Sequence, residues 1–190
     1  DFHFTLNVFL NQVMGQLIVD AASVLLLNPH AQTLTYDAGN GFRTDALQHT
    51  QLRVGEGYAG RAALERNLIY IPDLRGRKTD FLRSPYFSAE GFVAYYGVPL
   101  IAKGEIKGVL EIFHRSPLQP DSEWLNFLET LAGQAAIAID NAQLFDGLQR
   151  SNTELALAYD ATIEGWSRAL DLRDKETEGH TLRVTEITLR

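Results

Sequence analysis

All six prolines of the chain lie before Ser122, and from there to Arg190 only scattered glycines interrupt a helical pattern. Within that stretch Trp124, Leu128, Leu131, Ala135, Ala138, Ala142 and Phe145 follow alternating steps of four and three. Ile137, Leu144, Leu148 and Leu155 continue a neighbouring stripe. Such a pattern is longer than a helix packed on one small domain needs, and sustained heptad spacing points to a coiled coil. Ala135, Ala138 and Ala142 leave room for close helix approach. The spacing predicts one helix from 122 to about 172, with two helices broken near Gly147 as the competing reading. The pattern is still running at Arg190, and the chain opens Asp1-Phe2-His3 without Met, so it reads as a piece of a longer protein.

The residues before Ser122 alternate in a different way. Leu6, Phe9, Leu10, Val13 and Leu17 share one helical face. Ala21-Ala22-Ser23-Val24-Leu25-Leu26-Leu27 is a short apolar run stopped by Asn28-Pro29, and Thr33-Leu34-Thr35-Tyr36 reads as its returning strand. Residues 51–54 are extended, residues 61–66 make about two turns of good helix formers, and Leu68-Ile69-Tyr70-Ile71 is a strand stopped by Pro72-Asp73. Residues 74–91 form the longest irregular stretch. Two long strands, 92–102 and 106–115, follow and are joined by a tight turn at Lys103-Gly104-Glu105.

Composition narrows the functional classes. Of 190 residues 45 % are hydrophobic and 22 % charged, an ordinary globular balance. With no cysteine there is no thiol nucleophile, thiolate metal site or thioether-linked cofactor. A net charge of −7 argues against nucleic-acid and anionic-membrane partners, which need a basic field. No apolar run spans a bilayer and no signal peptide is visible, so a cytoplasmic location is expected. The chain has neither G-x-S-x-G nor H-E-x-x-H.

Gly55-Glu56-Gly57-Tyr58-Ala59-Gly60 matches the dinucleotide-binding glycine pattern. The helix after it is too short for a crossover between parallel strands, and no βαβ unit precedes it. A positive-φ turn and close packing of a short helix on a sheet explain the glycines better. Arg75, Arg77, Lys78 and Arg83 read as a solvated basic face, and His3, His30, His49 and His114 as capping or solvated side chains. Glu176 and His180 are four apart, so on a helix a carboxylate and an imidazole would face one point and could share a metal. Tyr58, Tyr70, Tyr86, Phe87, Phe92, Tyr95 and Tyr96 gather near the loops at one end of the central strands, as suits a lined cavity.

Residues 1–145 resemble a GAF domain, the small-molecule sensor module of bacterial signalling proteins. The resemblance rests on Arg53-Val-Gly-Glu-Gly-Tyr-Ala-Gly-Arg61, Ile71-Pro-Asp73, Val98-Pro-Leu-Ile-Ala-Lys-Gly104, Gly108-Val-Leu-Glu-Ile-Phe113 and Ala132-Gly-Gln-Ala-Ala-Ile-Ala-Ile-Asp-Asn-Ala142, in that order. It implies an α+β fold, an antiparallel sheet of about six strands flanked by helices, with a long C-terminal signalling helix. It also implies a ligand pocket between the sheet and the 74–91 loop, with Tyr58, Asp73, Tyr86, Phe92 and Tyr96 as candidate lining. The N-K-F-D-E set of cyclic-nucleotide-binding members is absent, bilin-binding members usually use a cysteine, and His114 is a poor axial ligand for haem.

Residues 146–190 resemble a linker helix and the opening of an HD-GYP phosphodiesterase domain, through Ala169-Leu-Asp-Leu-Arg-Asp174, Glu176-Thr-Glu-Gly-His180 and Arg183-Val184. That resemblance makes His180 the first-motif histidine ligand and Glu176 the extra carboxylate of three-metal members. It implies divalent iron or manganese in the parent protein and cleavage of cyclic di-GMP there. The cluster needs partners beyond residue 190, so the fragment itself is expected to be catalytically inactive and free of cofactor. The expected function is a regulatory sensor acting through the C-terminal helix, with a ligand-free dimerisation module as the alternative. The expected partners are an unidentified small molecule and a second copy, paired side by side through the first and last helices, with no membrane contact.

Overall fold

The computed structural model describes residues 2–75 and 89–188, with side chains to residue 170. It divides into two units, residues 1–142 and 143–190. The first contains a six-stranded antiparallel sheet: β1 (Ala21–Asn28), β2 (Thr33–Asn40), β3 (Gln51–Arg53), β4 (Ile69–Ile71), β5 (Ala94–Ala102) and β6 (Glu105–His114). Their spatial order is β3-β2-β1-β6-β5-β4. The centre is therefore the β1–β6 pair, where Ala21 to Leu26 face Phe113 to Gly108. Gly108 has no choice of side chain, since a Cβ there would overlap the Leu25 carbonyl oxygen.

Helix α1 (Phe2–Leu17) buries Leu6, Leu10, Val13 and Leu17, as their spacing predicts. They join Val24, Leu110 and Ile112 of the sheet and Leu128, Leu131, Ala135 and Ile139 of helix α3 (Ser122–Thr188) in one core on one face. The Trp124 indole N–H donates to the Leu17 carbonyl, and Asp121 caps α3 by accepting from the Trp124 N–H. On the other face, helix α2 (Gly57–Glu65) lays Ala59, Ala62 and Ala63 on Leu25, Leu34, Leu52 and Val109.

The glycine pattern lies partly inside α2, which begins at Gly57, four residues before the expected start. Gly55 and Gly57 have φ of 89° and 62°, and a Cβ on Gly60 would overlap the Arg53 carbonyl oxygen. The glycines thus serve a turn and a close helix–strand approach. At the β5–β6 hairpin Lys103 and Gly104 both have positive φ, as a two-residue primed turn requires.

Helix α3 is uninterrupted from Ser122 to Thr188, so the break near Gly147 does not occur. Its part in the second unit begins at Gln143, and every residue from 143 to 170 is exposed. Leu144, Leu148, Leu155 and Trp166 are among them. No helix among the described residues is long and apolar enough to cross a membrane.

Candidate functional site

Strand alternation decides which side chains reach the α2 side of the sheet. Along β6 these are Val109, Glu111 and Phe113; along β1, Ala21, Ser23 and Leu25. Cross-strand register aligns Gly39, Ser23, Glu111 and Gly97 in one row across β2, β1, β6 and β5. The row places a carboxyl at the centre of the sheet, fully buried, with small residues beside it. The Ser23 hydroxyl donates to Glu111 Oε2 at 3.1 Å and the Tyr95 hydroxyl to Oε1 at 3.0 Å. Gly97 makes this possible: a Cβ there would sit 2.7 Å from the Tyr95 hydroxyl, so the phenol folds back over the glycine to reach Glu111.

Aromatic rings surround this carboxyl. Tyr58 of α2 lies 5.7 Å from Tyr95, Phe113 lies 5.3 Å from Tyr95, and Phe92 stacks on Phe113 at 4.8 Å. Phe42 meets Phe92 and Phe113 edge to face.

A second buried carboxylate closes the end of this face. Glu90 accepts from the Arg43 and Thr44 backbone N–H groups at 2.8 and 2.9 Å, from the Thr44 hydroxyl at 2.8 Å and from the Arg115 guanidinium at 3.3 Å. Burial alone would push its carboxyl up, but these four donors outweigh it and hold it below the ordinary range. Arg115 also donates to the Glu90 and Gly41 carbonyls and lies 4.8 Å over the Phe92 ring. Asp20 accepts from the Arg115 backbone N–H, and its Oδ2 lies 2.8 Å from His114 Nδ1. One polar cluster therefore ties the start of β1, the chain after β2, residue 90 and the end of β6.

A third acid connects the sheet to α3. Asp140, 5 % exposed, pairs with Lys103 at 2.9 Å and Lys107 at 2.8 Å, and Lys107 also pairs with Glu105 at 2.9 Å. The bonds from Lys107 and Lys103 outweigh burial and lower the Asp140 carboxyl. Lys107 reaches the helix because β6 carries an extra residue there: Leu100 faces Gly108 but Ile101 faces Ile106. A bulge of this kind re-aims a side chain. Asp140→Asn is expected to leave the fold intact but raise amide exchange at residues 103–107 and in the surrounding turn of α3. Unchanged exchange at both places would show that the two bridges hold nothing.

The expected lining residues do not share one place. Tyr58 and Phe92 lie in the aromatic cluster on the α2 side. Tyr96 belongs to the opposite face, stacked on Tyr70 at 4.4 Å and 5.0 Å from Trp124, with burial and Tyr70 pushing its phenol up. Tyr95 takes the position expected of Tyr96. Asp73 is an exposed partner of Arg75, whose hydrogen bonds bring its carboxyl down to about 2. Tyr86, with Arg77, Lys78, Arg83 and Phe87, lies outside the described residues. Glu176 and His180 fall in the backbone of α3, and their side chains lie outside the described residues. Among the described residues no group of three or more His, Cys, Asp or Glu could hold a metal.

Glu111, Glu90 and Asp140 were missed in the sequence. For Glu111 a signal existed, a single charge inside Val109-Leu110-Glu111-Ile112-Phe113. An acid in an apolar run is buried only with partners.

The family model described as GAF domain matches residues 1–139. A curated relative, the methyl sulfide methyltransferase-associated sensor of Methanosarcina acetivorans, is 28 % identical over 144 residues, 73 % of this chain. The chain spans 14 % of that protein's length. Among solved structures, the GAF domain from a Coxiella burnetii phosphoenolpyruvate-protein phosphotransferase superposes with a TM-score of 0.69 at 22 % identity, covering 77 % of this chain and 87 % of that one. The GAF domain from the Acinetobacter phosphoenolpyruvate-protein phosphotransferase gives a TM-score of 0.65 at 22 % identity, with the same coverages of 77 % and 87 %.

Proposed function

Because the chain belongs to the GAF family, we propose that it is the sensory input module of a larger signalling protein, receiving a small molecule on the α2 side of its sheet and acting through α3. The family and a sensor-named relative support the sensory role. The observation that carries the receiving face is Glu111: a fully buried carboxyl at the sheet centre, set among Tyr58, Tyr95 and Phe113. Polar groups placed in an apolar aromatic setting are what fixes a ligand's orientation. Asp140 supports a path to α3, since it joins the β5–β6 hairpin to that helix. A ligand moves that joint only by binding one arrangement more tightly than the other.

The output domain in this reading is an HD-GYP phosphodiesterase acting on cyclic di-GMP, supported by the sequence from Ala169 to Val184. The helical backbone of α3 across 176–180 puts Glu176 and His180 about one turn apart, which suits a shared first-row divalent ion such as iron or manganese. Completed by residues of the parent, such a cluster would supply activated water for phosphodiester cleavage. In the fragment alone the module carries no catalysis, and a cytoplasmic setting fits that reading.

The exposed apolar side chains of α3, Leu144, Leu148, Leu155 and Trp166, favour a second reading: a homodimerisation module that holds no ligand. Native mass spectrometry of the 190-residue chain separates the two. The expected result is a dimer carrying an additional small-molecule mass, lost in Glu111→Leu while the variant stays folded. A dimer of bare chains would leave only the scaffolding role.

A further inference from the structure

Where β5 outruns β4, the sheet edge opens into a cleft of about 260 Å³. β4 covers only Tyr95, Tyr96 and Gly97, and among the described residues no strand lies beside 98–101 on that side. One wall is α3 and another is the link from α2 to β4, so Leu68, Val98, Pro99 and Ala132 give the cleft an apolar floor. Leu68, Val98 and Ala132 pack in the core shared with α1 and α3, on the face opposite Glu111. We propose that this cleft binds a short zwitterion of the ω-amino acid kind, an ammonium and a carboxylate joined by a few methylenes.

Two residues that line it break the local rules of their helices, in opposite senses. The residue that ends α2 takes a left-handed conformation with φ of 57°, which favours glycine, yet it is Arg66. The interior of a helix disfavours glycine, yet α3 carries the half-buried Gly133 at the cleft, where a Cβ would meet nothing within 4 Å. No neighbour requires that glycine; what it leaves is room. Departures from local preference of this sort gather where a site is built.

The cleft carries one charge of each sign, on different walls. Arg66 donates to the Gly104 carbonyl at 2.6 Å, which anchors its guanidinium toward the β5–β6 turn and leaves N–H groups of the fork for a carboxylate. Glu129 stands on the α3 wall, exposed and without a partner among the described residues. A cation on one wall, an acid on the other and hydrocarbon between them match a ligand that is oppositely charged at its two ends. A plain carboxylate would meet Glu129, and a plain amine would meet Arg66. Pro99 has no N–H to offer, which disfavours an added peptide strand at this edge. The volume is below the range of drug-sized pockets, which keeps the ligand short. Glu129, Gly133 and Asp140 follow steps of four and seven along α3, so the occupant lies on the helix face that Lys103 and Lys107 grip. The inference does not depend on whether the Glu111 face receives a ligand.

Two-dimensional NMR of the 190-residue chain during titration with δ-aminovalerate tests the proposal. Saturable amide shifts are expected at residues 66–68, 101, 132 and 133. Valerate and pentylamine, which each lack one of the two charges, are expected to bind about threefold more weakly. Gly133→Leu is expected to melt no lower than the parent, since a helix former replaces glycine in open space, and to lose binding. Arg66→Gly, which suits the left-handed backbone, is expected to bind pentylamine as tightly as δ-aminovalerate. Shifts that do not saturate, shifts centred on Ser23, Tyr95 and Glu111 instead, or equal affinities for the three compounds overturn it. Binding that survives in folded Gly133→Leu, or a preference that survives in Arg66→Gly, does so as well.

Discussion

Gly108→Ala is expected to lower the melting temperature of the domain by about 10 °C, the largest effect of any single methyl group in the sheet. The added carbon would overlap the Leu25 carbonyl oxygen and lie 3.2 Å from the Leu25 carbonyl carbon and 3.3 Å from Leu26 Cα. All three are backbone atoms of the adjoining central strand, so no rotamer change relieves the contact. Relief requires β1 and β6 to separate where Leu26 faces Gly108, and both sheet-covering cores draw on these strands. Overpacking that moves backbone costs about 3 kcal/mol, a large share of the ~5–15 kcal/mol that holds a domain together. Circular dichroism melts of the two proteins decide it. A variant melting within a degree or two of the parent would show that β1 yields at no cost.

Glu90→Ala is expected to destabilise the domain by about 2–4 kcal/mol at neutral pH, and the loss should shrink in acid. Truncation strands the Arg43 N–H, the Thr44 N–H and hydroxyl, and one partner of the Arg115 guanidinium, all around a fully buried site. The folded carboxyl titrates below its ordinary value of 4.5. Its contribution is therefore complete above that value and is lost as pH falls through the lower, folded value. Other carboxylates, Asp140 among them, follow the same course, so the informative quantity is the difference between the two proteins. Melting temperatures from pH 7 to pH 3 should converge as the acid is reached. A constant gap over that range would mean that the charge of Glu90 contributes nothing.

The sheet, the short helix after the glycine loop and the long final helix were legible in the sequence, because each rests on a local period. Phase was less legible than period. A strand running unbroken from Phe92 would put residues 92, 94 and 96 on one face. Gly91 has φ of 69° and β5 begins only at Ala94, so alternation starts after Phe92 has been placed. Tyr95 then faces Phe113 and Glu111, and Tyr96 turns to Trp124. A one-residue difference in where pairing begins moves every later side chain to the other face. The bulges at Asp37 of β2 and Lys107 of β6 have the same effect, and no local signal announces either. Asp140 carries no local signal, because its partners, Lys103 and Lys107, come from a distant hairpin.

The surplus residue at Lys107 gives β6 slack at a single position. The Lys107–Asp140 bridge hangs on that surplus residue, outside the run of pairs from Leu26–Gly108 to Ala21–Phe113. Loss of the bridge therefore breaks no pair of the central sheet.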